Sequence, residues 1–267
     1  MHWSGVITMT TDFGHKGPFA AVMHGVILTR NPAARVIDLA HDIPPQWPPE
    51  AGFWISRAYT YFPRGSIHLA IVDPGVGTER EILVVEYDGH VFIAPDNGLL
   101  APLLDRAEDA KIWQLDLQRL AALKLAKPSD TFHGRDIFAP VAAELAAGRL
   151  SLTAIGNPVT DWTPGWLDDP EVSPGKVVGT VITIDAFGNL ISNIDQDLIS
   201  NFDEPVAQFA GHEIALLTTY GRAKPGTYLA LVNSFGVIEI AKAEGSAADG
   251  LGMGRGAPIV IRDGFSA

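Results

Sequence analysis

The chain has 267 residues, 47% of them hydrophobic and 19% charged, which allows one large or two modest globular domains with a real core. Its formal net charge of −12 argues against nucleic acid or an anionic membrane surface as a partner. The absence of cysteine excludes disulfides, thiolate nucleophiles and cysteine metal ligands. Without an apolar run of about 18 residues we expect no membrane span, and without an N-terminal signal pattern we expect a cytoplasmic protein.

The first 160 residues alternate between strand-like and helix-like patterns, which predicts an α/β domain with a layered, mostly parallel sheet. The run from Ile67 to Val72 is almost continuously apolar, as in a strand covered on both faces. Predicted strands lie at Val6–Met9, Arg35–Leu39, Ile67–Val72, Ile82–Glu86, Val91–Ala94 and Lys111–Leu115, and predicted helices at Pro18–Arg30, Glu50–Tyr61, near Leu99 and at Ile137–Ala147.

Charged residues follow two of these strands at the point where each strand ends. Asp12 follows the first strand, and Asp73 follows the run Ile67–Val72, with Arg80 across a tight glycine loop. Ligands of open α/β sheets bind outside the carboxyl ends of the strands, which favours a site here. The stretch alone is equally compatible with a structural ion pair that closes the turn. The proline-rich loop around Trp47 is a plausible wall for a pocket.

The composition changes between about residues 157 and 175, where prolines and acidic residues accumulate. We therefore predict a first domain over 1–160, a linker over 161–175 and a second domain over 176–267. Short strand-like runs divided by glycine turns predict that the second domain is all-β, a small barrel or sandwich. These runs lie at Val177–Asp185, Leu190–Ile194, Glu213–Leu217, Tyr228–Val232, Val237–Ala241 and Pro258–Ile261.

Residue chemistry alone leaves several interpretations open. Aspartate and histidine at strand ends are usual ligands of hydrolytic metal sites, and the set here is Asp12, His41, Asp42, Asp73 and His133. In the second domain, the turn Asp185–Asn189 offers an amide that fits an adenine edge, although a glycine turn with a core phenylalanine gives the same pattern. The turn Asn233–Gly236 is equally typical of an ordinary hairpin.

Taken together, several long motifs resemble the S-adenosyl-L-methionine (SAM) hydrolase family, also called SAM hydroxide adenosyltransferases, which is related to fluorinating and chlorinating enzymes. The resemblance runs nearly end to end and implies an N-terminal α/β domain, a C-terminal β domain, and homotrimers with active sites between the N-terminal domain of one subunit and the C-terminal domain of the next. The motifs are TTDFG at Thr10–Gly14, RNPAARVIDLAHDIPPQ at Arg30–Gln46, VDPGVGTER at Val72–Arg80, APDNGLL at Ala94–Leu100, TFHGRDIFAP at Thr131–Pro140, IDAFGNLISNI at Ile184–Ile194 and NSFGVIEIA at Asn233–Ala241.

The resemblance also implies roles for individual residues. Asp73, Arg80 and His133 match the catalytic set that handles water. Halogenating relatives carry an arginine where this chain has Phe235, so we expect the methionine carboxylate to be held differently here. The implied substrate-binding residues are Asp12 at both ribose hydroxyls, Thr131 and Phe132 beside the ribose, Asp185 at the methionine ammonium, Phe187 and Asn189 at adenine, Tyr220 at a second aromatic wall, and Ser234 at the methionine carboxylate.

The implied reaction is an in-line attack of water at the ribose C5′ of SAM, which yields adenosine and L-methionine without a cofactor or metal. The leaving sulfur loses its positive charge, so the reaction needs no leaving-group acid. Halogenating relatives have tyrosines at the positions of Asp73 and His133, and a carboxylate repels a halide, so we favour hydrolysis over halide transfer. Gly134 alone decides little. A non-catalytic sensor of SAM or adenosine is a further alternative, and the sequence does not decide whether Asp73 or His133 takes the proton.

Overall fold

The computed structural model describes residues 2–123 and 128–264, and the chain divides into two compact units, Met1–Trp166 and Leu167–Ala267. The segment 161–175, predicted to be a linker, is shared between them. Thr163 donates its backbone N–H to Asp96 Oδ1 over 2.8 Å within the first unit. Glu171–Ser173 is a strand of the second unit.

The first unit combines seven strands with short and medium helices. None of the helices within the described ranges is both long enough and apolar enough to cross a bilayer. A π-helical turn, Gly134–Phe138, leads directly into the fifth helix. The elements are β1 Val6–Thr11, α1 Phe19–Arg30, β2 Arg35–Ala40, α2 Pro48–Ala58, β3 Ile67–Ile71, β4 Ile82–Tyr87, β5 His90–Pro95, α3 Ala101–Leu104, β6 Lys111–Leu115, α4 Leu117–Ala122, α5 Ala139–Ala146, α6 Leu152–Ile155 and β7 Gly156–Val159.

The sheet of the first unit is mixed, with the strand order β2-β1-β3-β5-β4-β6-β7. The strands β2, β1, β3 and β5 pair in parallel, whereas β5, β4, β6 and β7 pair antiparallel. The prediction of a mostly parallel sheet is therefore wrong for one half of the sheet. The cause is the turn Asp88-Gly89, where both residues have positive φ (44° and 74°), as a tight hairpin between β4 and β5 requires.

Strand β3 is buried along its whole length, which accounts for its continuous apolar run. Successive side chains of a strand point to opposite faces, so Leu69 and Ala70 enter different cores. Leu69 packs with Met23 of α1 and Val141 of α5. Ala70 packs with Ile55 of α2. The carboxyl ends of β1 and β3 are thus held side by side by packing on both faces.

The second unit is a nearly closed antiparallel sheet with one short helix in the described residues, so the predicted all-β character is confirmed. The strand order is β12-β11-β15-β9-β10-β14-β13, and β8 pairs with β9. The strands β12 and β13 form the two edges of this sheet. The backbone N–H of Leu217, just after β12, donates to Ala230 O of β13 over 2.8 Å and so links the two edges at one point. The elements are β8 Glu171–Ser173, β9 Lys176–Ile184, β10 Leu190–Asp195, β11 Pro205–Phe209, β12 His212–Ala215, β13 Tyr228–Val232, β14 Val237–Lys242, α7 Ala247–Leu251 and β15 Pro258–Asp263.

Candidate active site

Asp73 and Arg80 form a close ion pair just beyond the carboxyl end of β3. Arg80 Nε donates to both carboxylate oxygens of Asp73, at 3.1 and 3.0 Å, and Nη2 donates to Oδ2 at 2.6 Å. The two side chains are only 6% and 11% exposed. Charge-assisted bonds of this kind hold the planar carboxylate in one orientation. The predicted contact across the loop is therefore present.

His133 completes a chain of three side chains through Arg80. Its Nδ1 lies 2.8 Å from Arg80 Nη2. A guanidinium only donates hydrogen bonds, so Nδ1 must accept, and the neutral imidazole then carries its proton on Nε2. Burial lowers the pKa of His133, and the positive charge of Arg80 lowers it further. The arrangement thus favours a neutral His133 with an Nε2–H donor.

The two loops that carry these residues meet through a backbone contact at Gly77. Gly77 has φ 79°, and a Cβ there would collide with the carbonyl oxygen of Asp130. A glycine at this position lets the loop Asp73–Arg80 approach the segment that precedes His133. The close approach explains how residues 53 positions apart, Arg80 and His133, come into hydrogen-bonding distance.

Asp12 lies directly after β1, the strand next to β3 in the sheet. Its Oδ2 accepts the backbone N–H of Gln46 at 2.9 Å, so the proline-rich loop after β2 is tied to this carboxylate. Burial raises the pKa of Asp12, the Gln46 bond offsets part of the rise, and the charge of Asp73 adds to it. Asp12 and Asp73 therefore lie close enough to interact at one edge of the sheet.

Phe132 lies in an aromatic cluster next to His133. Its ring packs edge-on against Phe13, at 5.8 Å between centroids, and against Phe19, at 5.5 Å. Thr131, immediately before it, is exposed. Gly134 faces the same cluster, where an added Cβ would lie 3.2 Å from the Phe132 ring. The sequence singles out Phe132, but the participation of Phe13 and Phe19 depends on the packing of α1.

The residues considered as metal ligands do not converge on one point. His41 directs Nδ1 to Thr11 Oγ1 at 2.8 Å, and Asp42 faces His15 at 3.6 Å. The cationic Arg80 lies between Asp73 and His133, where it would repel a metal ion. Over residues 2–123 and 128–264, no three histidine or acidic side chains are placed to hold a metal. The residues present do not fit the hydrolytic metal site that residue chemistry left open.

In the second unit, Asp185 organises the turn that joins β9 to β10. Its Oδ1 accepts the backbone N–H groups of Phe187 and Asn189, both at 2.9 Å, and its Oδ2 accepts Asn189 Nδ2 at 3.0 Å. Asn189 is buried, whereas the Phe187 ring is 79% exposed. The turn thus presents an open aromatic face beside an amide held in a fixed orientation.

Tyr220 and Ser234 lie in the same unit, and both are exposed. The Tyr220 hydroxyl donates to Glu239 Oε1 at 2.6 Å. Ser234 belongs to a turn in which Asn233 Oδ1 accepts the backbone N–H of Phe235 at 2.9 Å. Neither Glu239 nor Asn233 is among the residues to which the sequence motifs assign a role. The available signal is a glutamate in the middle of an apolar strand, which needs a polar partner when it is buried.

Comparison with known proteins supports the resemblance found in the sequence. The chain matches the family models described as the SAM hydroxide adenosyltransferase N-terminal domain, over residues 7–156, and C-terminal domain, over residues 179–260. A relative from Thermus thermophilus named (R)-S-adenosyl-L-methionine hydrolase is 38% identical over 253 residues, which cover 93% of this chain and 96% of the relative.

A solved structure and a more distant relative extend the comparison. The crystal structure of an uncharacterized conserved protein from Thermotoga maritima superimposes with a TM-score of 0.87 at 34% identity, and covers 96% of this chain and 99% of that one. A protein from Actinopolyspora mzabensis named fluorinase is 24% identical over 273 residues, which cover 89% of this chain and 90% of the relative. The chain therefore belongs to the SAM hydroxide adenosyltransferase family.

Proposed function

We propose that this protein hydrolyses SAM to adenosine and L-methionine. The observation that carries the proposal is the hydrogen-bonded set Asp73–Arg80–His133. In it, the guanidinium of Arg80 holds a carboxylate and an imidazole together beside Asp12. The T. thermophilus relative bears the name of this activity and aligns with nearly the whole chain. A carboxylate and a neutral imidazole can orient a water molecule in a site from which bulk water is excluded.

The hydrogen bonds suggest how the water is handled. Among the described residues, Asp73 Oδ1 accepts one hydrogen bond, from Arg80 Nε at 3.1 Å, which leaves it a lone pair for a further donor, whereas Oδ2 accepts two bonds from Arg80. Oδ1 of Asp73 can accept the proton of the water as its oxygen bonds to C5′. His133 Nδ1 is already taken by Arg80, so His133 contributes a donor from Nε2 rather than a second base. The C5′–S bond breaks, and its electron pair converts the sulfonium into the neutral thioether of methionine.

We assign the substrate contacts according to the resemblance. Asp12 accepts both ribose hydroxyls, a task suited to a carboxylate. The open Phe187 ring stacks on adenine, and Asn189, whose amide is oriented by Asp185, meets the adenine edge. The further proposed contacts are Thr131 and Phe132 beside the ribose, Tyr220 as a second aromatic wall, Asp185 at the methionine ammonium, and Ser234 at the methionine carboxylate.

We also propose a homotrimer in which the N-terminal unit of one subunit and the C-terminal unit of a neighbour contribute to each active site. The proposed ribose and water contacts all belong to the first unit, and the proposed adenine and methionine contacts to the second. Light scattering on the purified protein tests the assembly, and a mass other than three chains contradicts it. A cytoplasmic location is part of the same proposal and is tested by cell fractionation.

Halide transfer is the second candidate reaction, because the named fluorinases are relatives. The carboxylate of Asp73 stands against it, since a negative charge at the nucleophile position repels chloride and fluoride. SAM incubated with the enzyme in excess chloride separates the two reactions by chromatography. Adenosine is expected, whereas a 5′-halogenated nucleoside would establish halide transfer.

The deciding experiment for turnover is an assay of purified protein with each sulfonium epimer of SAM, in which adenosine and methionine are followed by chromatography. Asp73→Asn replaces the basic carboxylate with an amide that cannot take the proton of the water, so it should lower kcat by about 10²-fold or more while adenosine still binds. A strong chelator should leave the rate unchanged, because no metal is required. Saturable binding of SAM without any adenosine would instead identify a sensor.

A further inference from the structure

Glu239 is a buried carboxylate in the middle of β14. Glu239 is 2% exposed and lies between the apolar residues Ile238 and Ile240. Burying a carboxylate is costly unless hydrogen bonds compensate. Oε1 accepts the Tyr220 hydroxyl at 2.6 Å, and Oε2 accepts Asn233 Nδ2 at 3.1 Å. The two carboxylate oxygens therefore bind different surface segments, one at Tyr220 and the other at Asn233.

The first segment is the short 3₁₀ turn Tyr220–Arg222. Tyr220 is 46% exposed as a residue, while its hydroxyl is held by Glu239. An aromatic ring anchored at its hydroxyl keeps one orientation and presents its face to solvent. Burial raises the pKa of Tyr220 well above its ordinary value, and the hydrogen bond to Glu239 raises it further, so the phenol stays a donor.

The second segment is the turn between β13 and β14. Asn233 donates Nδ2 to Glu239, which fixes which way its amide group points. Its Oδ1 then accepts the backbone N–H groups of Phe235, at 2.9 Å, and Val237, at 3.4 Å. Those bonds shape the turn on which Ser234 is exposed. The orientation of the turn therefore depends on the same carboxylate.

We propose that Glu239 is a positioning residue for the substrate, which couples the aromatic wall at Tyr220 to the turn that presents Ser234. The inference rests on the proposed function, because it takes these two segments as contacts for the nucleoside and for the methionine carboxylate. Pre-positioned groups bind without loss of side-chain freedom, so the benefit is expected in substrate affinity rather than in the chemical step.

Three substitutions separate this role from simple stability. Glu239→Gln keeps the size of the side chain but accepts through one oxygen only, so it cannot receive hydrogen bonds from both Tyr220 and Asn233 as the carboxylate does. Tyr220→Phe removes only the hydroxyl and keeps the exposed ring. Ser192→Ala is the matched control, because it removes two buried hydrogen bonds in the same sheet, one to Ile238 O at 2.8 Å and one from the backbone N–H of Ile194 at 3.2 Å, and neither involves Tyr220 or Asn233.

The measurement is steady-state SAM hydrolysis, with calorimetric binding of adenosine and of methionine and thermal unfolding of each variant. E239Q and Y220F should each raise KM about tenfold with kcat within about twofold. Y220F should weaken adenosine but not methionine, E239Q should weaken at least one of them, and S192A should lower Tm alone. The double variant should be no worse than E239Q, since both changes break one connection.

The outcomes distinguish the inference from the proposed function. Parental KM in Y220F, or multiplied effects in the double variant, overturns the positioning role even if E239Q fails to fold. A fall in kcat alone would overturn it as well. If the wild-type protein neither hydrolyses nor binds SAM, the proposed function itself is wrong and this inference falls with it.

Discussion

At the scale of single residues, the arrangement depends on the fork of Arg80. Its Nε and Nη2 together hold Asp73, and Nη2 also reaches His133. A lysine carries the charge but has one nitrogen, so it cannot reproduce both contacts at once. We predict that Arg80→Lys lowers kcat by about 10²-fold, the effect of misplacing one acid–base group.

The matched control for this substitution is Arg64→Lys. Arg64 pairs with Asp88 at 2.6 Å, but both side chains are exposed, and exposed pairs contribute little. Steady-state kinetics should show a parental kcat for R64K. Equal activities in R80K and R64K would mean that the fork has no part in turnover.

His133 supplies a prediction about protonation. Burial and the charge of Arg80 both lower its pKa below the usual 6.5. An NMR titration of the His133 ring should therefore give a midpoint below that value, and Arg80→Met should move the midpoint upward. A midpoint above 6.5 in the wild-type protein, or no upward movement in R80M, would contradict the hydrogen-bonded arrangement.

Residue types at strand ends were enough to select Asp12 and Asp73 from the sequence. The contact of Arg80 with His133 was not accessible in that way, because it crosses 53 positions and depends on how two loops pack. Only the family resemblance grouped these residues beforehand. The hydrogen bonds by which Asp185 shapes its own turn could not be predicted either, since side-chain bonds to the backbone produce no periodic pattern in a sequence.

At the scale of elements, the loop Asp73–Arg80 is positioned by the contact of Gly77 with the backbone of Asp130. Gly77→Ala would strain a positive φ and push the segment before His133 away. We predict a loss of kcat of about tenfold or more, with SAM affinity largely retained.

Gly211→Ala is the control for backbone strain. Gly211 also has positive φ, 78°, but a Cβ there meets no atom within 4 Å. Both variants should lose similar stability in thermal unfolding, and only G77A should lose activity. If G211A loses activity to the same extent, the loop contact is not what positions His133.

The limits of prediction at this scale have identifiable causes. The prediction of a mostly parallel sheet fails at β4 and β5, because a buried apolar run does not reveal the direction of its strand, although Asp88-Gly89 is a strong hairpin signal. Helix α2 begins at Pro48 rather than at Glu50, since proline fits the first helical turn. Strands β7 and β11 each contain a proline and have only four and five residues, so the sequence gives little sign of them.

At the scale of the whole molecule, a buried histidine pair links stability to pH. His68 is fully buried and makes two hydrogen bonds. Its Nδ1 lies 2.8 Å from Thr8 Oγ1, and its Nε2 lies 3.1 Å from Nδ1 of His90. Burial lowers the pKa of His68 to about 3 from its ordinary value of 6.5, and His90 lowers it further.

The sign of the effect follows from proton binding. Between pH 6.5 and about 3 the unfolded chain binds a proton at His68 and the folded chain does not, so the free energy of unfolding falls as the pH falls. The slope is about 1.4 kcal/mol per pH unit for one such group. Urea unfolding of wild type and His68→Gln, at neutral pH and at about pH 5, measures this contribution together with the coupling of His68 to His90, because groups that do not contact His68 titrate alike in both proteins. Identical losses of stability on acidification would contradict it.

In the proposed reaction, water organised by Asp73 and His133 attacks the ribose C5′ of SAM. Turnover in water enriched in the heavy isotope of oxygen, followed by mass spectrometry of the products, tests this most directly. We expect one heavy oxygen in the 5′-hydroxyl of adenosine and none in methionine. Unlabelled adenosine, label in methionine, or no adenosine at all would contradict it.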